Sequence, residues 1–133
     1  MTETMIRDTE YATLWYDAEH KIVHHQFHKF IYGEEFRQVL EDGLEIFKKN
    51  SAHKWLSDDR KNSTLTTEDT EWAQKDWFPR VFDAGWKFWA IVMPDKVVGK
   101  LNMKRFIDTY SQQGLAIDIF DNPDEALKWL ESV

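Results

Sequence analysis

Apolar and polar residues alternate along this chain with two different periods, which predicts a mixture of strands and helices. Short runs of aromatic and β-branched residues at 11–17 and 21–32 flank the polar link AEH and predict a β-hairpin. In the next segment, 33–50, apolar residues recur every three to four positions, which predicts an amphipathic helix. These apolar positions are Phe36, Val39, Leu40, Leu44 and Phe47.

The remainder of the chain continues as an alternation of strands and helices. Three further strands are predicted, at 53–57, 86–93 and 115–120. Three further helices are predicted, the first beginning after Thr66 or Thr67, the second at 101–114, and the third capped by Asn122. Because Pro79 removes a backbone donor from the first of these helices, we expect a kink or break near Phe78.

The predicted order is therefore β-β-α-β-α-β-α-β-α, which is typical of an α/β fold. The hairpin contributes antiparallel strands, whereas strands joined through helices are parallel and connected by right-handed crossovers. We expect a single domain over residues 1–133, built on one mixed sheet of about five strands, with a flexible N-terminus at 1–10.

Composition restricts the class of protein. The 133 residues carry a net charge of −7 without a basic patch, which argues against a nucleic-acid-binding protein. The 42% hydrophobic and 15% aromatic content is ample for a packed core. No cysteine, no apolar leader segment and no apolar run of the length of a membrane span occurs, so we expect a cytoplasmic protein without a transmembrane segment.

Two segments resemble a known family. The ending FDNPDEALKWL (120–130) and the central stretch WLSDDRKNSTLTTEDTEW (55–72) resemble the SpoIIAA-like family, whose members have the STAS fold. The resemblance implies helices packed mainly on one face of the sheet. It also implies a regulatory or binding role without catalysis, with a protein partner, an apolar or lipid-like ligand, or a peripheral membrane contact.

The chain departs from that pattern at the turn after the third predicted strand. STAS antagonists of anti-sigma factors carry a phosphorylatable serine in an Asp-Ser-x-Gly turn, whereas this turn reads SDDRKNST and contains neither an Asp-Ser pair nor a glycine. The resemblance therefore gives little reason to transfer a kinase switch. Whether Ser57, Ser63 or Thr64 is phosphorylated stays open.

The same polar turn is the first candidate site, because ligands of α/β proteins bind at the carboxyl ends of the strands. Its candidate residues are Asp58, Asp59, Arg60, Asn62 and Ser63. They could bond local backbone groups, bind a ligand or partner, or supply a carboxylate pair to a small enzyme. Adjacent residues of a strand point to opposite faces, so Asp58 and Asp59 converge only if the strand ends before them.

The aromatic-rich segment after the turn is the second candidate site. Its aromatic residues could simply fill the core, or the helix that carries Pro79 could pack loosely and leave an apolar groove. A groove of this kind would take a lipid-like ligand or a partner. The candidate residues are Trp72, Trp77, Phe78 and Phe82.

The histidines of HHQFH do not predict a metal site, since His24 and His28 would lie about 13 Å apart on a strand. The stripe Ile22, His24, Gln26 and His28 instead predicts a wet or interfacial sheet face, which a homodimer could use. No phosphate-binding loop, dinucleotide fingerprint or nucleophile elbow occurs, so we expect no cofactor and no catalytic residue.

Overall fold

The computed structural model describes residues 3–62 and 64–133, which form one mixed six-stranded sheet with helices on both faces. The strands lie in the sheet in chain order. They are β1 (Glu3–Asp8), β2 (Ala12–Asp17), β3 (Ile22–Phe27), β4 (Lys54–Asp58), β5 (Phe88–Val92) and β6 (Ala116–Phe120). Strands β1 to β3 are antiparallel and β3 to β6 are parallel. The β2–β3 hairpin and the parallel strands agree with the prediction, whereas the pairing of β1 was not predicted.

The helices follow the predicted order. They are α1 (Gly33–Lys49), α2 (Thr67–Trp72), α3 (Phe78–Asp83), α4 (Val97–Gln112) and α5 (Pro123–Ser132), with a π-helical turn (Ala73–Trp77) joining α2 to α3. Helix α4 begins four residues before the predicted Leu101 and ends before Gly114, which has a φ of +98°. The predicted caps are confirmed, since Thr66 accepts from the Asp69 amide and Asn122 from the Glu125 amide.

Strand β1 is a sixth strand, where we predicted five strands and a flexible N-terminus over 1–10. It pairs with β2 through an irregular register between Met5 and Arg7, and Arg7 also forms an ion pair with Asp42 of α1 at 2.8 Å. An alternating apolar signal was absent here, because Ile6 is the one apolar side chain of β1 that packs against the core. The other apolar residue, Met5, is 58% exposed. Backbone pairing with β2, more than burial of apolar side chains, keeps this edge strand in place.

The segment 67–83 does not break at Phe78, contrary to the expectation from Pro79. The backbone is helical throughout, and the Phe78 amide donates to the Ala73 carbonyl five residues earlier. A proline ring clashes with the carbonyl four residues before it, and a wider π turn relieves that crowding. Pro79 then occupies the first turn of α3, where its missing N–H costs little.

The two faces of the sheet are covered unequally. Helices α1 to α4 pack on one face around a large apolar core that includes Trp55, Trp77 and Phe106. Helix α5 alone packs on the other face, where Leu130 and Ala126 meet Leu56 and its neighbours. Most helices therefore lie on one face, as expected. No helix of the described residues is long and apolar enough to cross a membrane.

Helix α1 approaches the sheet closely at Gly43. A Cβ atom at this position would lie 2.5 Å from Cη2 and 2.8 Å from Cζ2 of Trp55, which is closer than packed atoms tolerate. Trp55 is fully buried and its indole is hydrogen-bonded, so it has little freedom to move aside. The glycine that interrupts the helical pattern is therefore required by packing.

We predict that Gly43→Ala destabilises the fold by about 1–3 kcal/mol through overpacking, although alanine is the better helix former by about 1 kcal/mol. Urea unfolding of the variant measures this change. Glu45→Ala, at an exposed position of the same helix, serves as the control and should be near neutral. A Gly43→Ala variant as stable as the parent would contradict the close contact.

Candidate ligand-binding cavity

A cavity lies at the carboxyl ends of the central parallel strands, on the face that α1 to α4 cover. Its volume is about 50 Å³. Most of its wall is aromatic or aliphatic and comes from α1, β3, β5, the π turn, α3, α4 and the segments that connect them. The polar residues that line it are His25, Ser57, Asp59, Asn62, Thr64 and Asn102.

Sheet register brings the polar residues of the cavity together. Parallel pairing places His25 of β3 directly beside Ser57 of β4, and both side chains point to the face that carries the large core. Asp59 directly follows β4 and remains in the ladder, since its amide donates to the Val92 carbonyl at 2.9 Å. These residues are buried, with 4 to 6% of their surface exposed.

His25 joins a buried tryptophan to a buried carboxylate. The Trp55 indole Nε1–H donates to His25 Nδ1 at 3.0 Å, and His25 Nε2 lies 2.9 Å from Asp59 Oδ1. An indole N–H is a donor only, so Nδ1 must accept and carries no proton. His25 is therefore neutral, with its proton on Nε2 and donated to Asp59. Both ring nitrogens are occupied, which leaves neither free to exchange a proton with a ligand.

A neutral His25 does not compensate the negative charge that Asp59 carries when it is ionised. Within residues 3–62 and 64–133, Asp59 has no ion pair with lysine or arginine. The ionisable side chain that it contacts is His25. Arg60, the nearest basic residue in sequence, forms a bidentate pair with Asp58 instead. Because buried charges are normally paired, the cavity has an unusual acidic end.

The indole donors around the cavity are satisfied inside the protein. Trp89 donates to Ser57 Oγ at 2.9 Å, Trp77 to the Leu40 carbonyl at 2.9 Å, and Trp86 to the Phe88 carbonyl at 3.1 Å. These tryptophans therefore offer ring surface rather than N–H groups to a ligand. The aromatic rings pack on one another around Phe78. Its ring is stacked on that of Phe106, with 4.6 Å between the ring centroids.

The predicted polar-turn residues separate into two groups. Asp59 and Asn62 line the cavity, and Asn62 Oδ1 also accepts weakly from the Ile31 amide at 3.4 Å. Asp58 is the last residue of β4 and lies on the opposite face, paired with Arg60 at 2.8 and 2.9 Å. The two aspartates do not converge, so they do not form a carboxylate pair. Ser63 lies outside the described residues.

The predicted aromatic residues also separate. Trp77 and Phe78 line the cavity and are buried, in agreement with both the core and the groove interpretations. Trp72 instead packs against Phe36 and carries the Arg37 guanidinium 5.3 Å from its ring. Phe82 packs on Tyr110 with ring centroids 5.7 Å apart and does not line the cavity.

Sequence reasoning missed His25, Ser57 as a cavity residue, and Trp89. His25 was not considered because the predicted stripe contained His24 and His28, which point to the opposite face of the strand. A usable signal was present, because His25 lies between Val23 and Phe27 at the positions that face the core. A histidine at a core-facing position of a strand needs buried partners.

The predicted wet stripe is partly buried. Ile22 is fully buried and packs in the small cluster under α5, while His24 is 8% exposed and lies against the Trp15 ring at 3.9 Å between centroids. Burial lowers the pKa of His24 to about 3. Gln26 is half-buried and His28 is exposed beside Thr13, so a wet face persists only at the end of the strand.

In the described part of the chain, Asp17, His20 and Glu131 form a group with metal-ligand chemistry, away from HHQFH. Their ligand atoms lie within 4.8 Å of one another. Asp17 also accepts the Glu19 and His20 amides, and its hydrogen bond to His20 raises the pKa of that imidazole. These contacts describe a hairpin turn tied to the end of α5.

No protein-family model, curated protein or solved structure matches this chain.

We predict that His25 is observed as the neutral Nε2–H tautomer by ¹⁵N NMR at neutral pH. Trp55→Phe removes the donor to Nδ1 and leaves the Nε2–H bond to Asp59, so Nδ1 should then be able to take a proton and give the doubly protonated ring. Trp89→Phe is the matched control, because it removes the neighbouring indole that bonds Ser57 and leaves the Trp55–His25 contact intact. A proton on Nδ1 in the parent protein would contradict the network.

We also predict a pH-dependent stability term from His24. Its pKa falls from 6.5 to about 3 on folding, so the unfolded chain takes up a proton that the folded chain does not. This contribution is fully present above pH 6.5 and decreases as pH falls toward 3, by about 1.4 kcal/mol per pH unit.

Unfolding free energies at pH 7 and pH 5 measure that term. His24→Gln should lose about 2 kcal/mol less than the parent over this interval. Equal losses in the two proteins, or an NMR titration of His24 with a midpoint near 6.5, would show that the imidazole is not buried as described.

Proposed function

We propose that this protein is a non-catalytic binding domain with a STAS-like, SpoIIAA-like architecture, and that it holds a small, mainly apolar molecule in the cavity. The single observation that carries the proposal is the cavity itself, an aromatic-walled space at the carboxyl ends of parallel strands. This is the place where α/β folds bind ligands. The mixed sheet with most helices on one face agrees with the proposed architecture.

The size of the cavity limits the ligand. An engineered apolar cavity of about 150 Å³ holds benzene, whereas the space here is about 50 Å³. A complete lipid chain does not fit in this volume, so a lipid-like ligand would have most of its chain outside. We therefore favour a molecule of a few heavy atoms, or the terminal group of a larger one that enters past the half-exposed Thr64, Leu65 and Asn102.

The arrangement of polar groups supports binding rather than catalysis. A paired acid–base mechanism requires two groups that give and take protons at the ligand. Both nitrogens of His25 are already hydrogen-bonded, which leaves Asp59 without a second such group. Asp58, the second carboxylate of the enzyme alternative, lies across the sheet from the cavity. A protein partner and a homodimer stay predictions, for which the exposed Val97, Val98 and Leu101 of α4 offer an apolar surface.

Filling the cavity tests this proposal. Ala73 of the π turn lines the space and is 1% exposed, so Ala73→Leu should occupy it and abolish binding of xenon or butan-1-ol. Binding is followed through the indole N–H signals of Trp77 and Trp89. Gln74→Leu, an exposed substitution on the same turn, is the control and should bind as the parent does.

Two results would overturn the proposal. A parent protein that binds neither probe, and that retains no small molecule in native mass spectrometry after gentle purification, would leave the cavity without a binding role. Turnover of any member of a hydrolase and isomerase substrate panel, lost in Asp59→Ala, would show that the domain is an enzyme.

A further inference from the structure

We propose that the cavity selects a small organic cation, such as a protonated amine with a short apolar body, through the Asp59 carboxylate and the surrounding aromatic rings. The inference rests on the proposed binding function and adds the charge of the ligand to it. It follows from a buried carboxylate that the protein does not neutralise and from walls that suit a cation.

The charge balance of the site favours a cation. The Trp55 indole obliges His25 to be neutral, so the His25–Asp59 pair carries the full negative charge of ionised Asp59. No lysine or arginine of the described residues lines the cavity. A carboxylate that is 6% exposed and faces a neutral imidazole gains most from a ligand that brings a positive charge and an N–H donor.

The aromatic walls of the cavity also favour a cation. Trp77, Phe78, Trp86 and Trp89 line the same space, and the faces of aromatic rings attract cations electrostatically. Since the indole N–H groups of these tryptophans are engaged inside the protein, they do not compete as donors to an anion. A carboxylate at one end and aromatic rings around the remainder form a common arrangement for recognising ammonium groups.

Other features of the cavity fit the same ligand. Ser57 already accepts from Trp89, and Asn62 already accepts from the Ile31 amide, so Asp59 remains the strongest acceptor for an N–H donor. The first turn of α4, which contributes Gly99 to the wall, is the feature that would favour an anion instead. A test must therefore compare the three charge types directly.

Three probes of nearly equal size separate the alternatives: butylammonium, butan-1-ol and butyrate. Each is titrated into the full chain near neutral pH, and binding is followed through the indole N–H signals of Trp55 and Trp89. We expect butylammonium to bind at least about tenfold more tightly than butan-1-ol, and butyrate not to bind, because a buried carboxylate discriminates by charge.

Variants connect that preference to Asp59. Asp59→Asn keeps the shape and removes the charge, so it should weaken butylammonium binding at least about tenfold and leave butan-1-ol binding within about twofold. Asp58→Asn is the matched control, since this buried carboxylate is on the opposite face and paired with Arg60. It should leave the preference of the cavity unchanged, and NMR spectra confirm that each variant is folded.

The outcomes distinguish the two proposals. Binding of butan-1-ol and butylammonium with equal affinity, or an ammonium preference that survives in Asp59→Asn, overturns the cation proposal and leaves the binding function in place. Preference for butyrate overturns it as well and indicates an anion site. Failure of all three probes to bind removes the proposed function together with this inference.

Discussion

One buried indole, that of Trp55, contacts three elements of the fold and links their positions. Trp55 is fully buried on the central strand β4, where it lies against Gly43 of α1, packs edge-on to Trp77 at 5.1 Å, and donates to His25 at 3.0 Å. The position of α1, the π turn and the tautomer of His25 are therefore linked. A change at any of these contacts is expected to affect the others, because the three elements meet on one closely packed side chain.

The same contact determines the chemistry of the cavity. An aliphatic residue at position 55 would leave His25 Nδ1 free to take a proton and to neutralise Asp59 as an internal ion pair. The indole prevents this, so His25 supplies no positive charge to Asp59 at the end of the aromatic space. Desolvating the carboxylate costs stability, and polar groups arranged at such a cost are typical of functional sites rather than of simple cores. The π turn adjoining the cavity fits the same pattern.

Much of the fold was predictable because its signals are local. The apolar spacing of α1, the caps at Thr66 and Asn122, and the apolar run of β5 are all read from neighbouring residues, and the structure confirms them. Two local expectations were wrong. Strand β1 has one inward apolar side chain and depends on its partner strand, and a π turn accommodates Pro79 without a break in the helix. Local sequence patterns do not show the pairing of β1 with β2 or the widening of the helix before Pro79.

Local sequence patterns were enough to predict the order of elements from β2 to α5, the mixed sheet and the position of the polar turn at the carboxyl end of β4. They also separated Asp58 from Asp59, since alternation along a strand is a local rule. Only the tertiary structure decided which of them matters, because parallel pairing with β3 places His25 beside Ser57, and the core places the Trp55 indole on His25. Contacts between residues 30 or more positions apart depend on packing, and packing decides where the uncompensated charge of this protein lies.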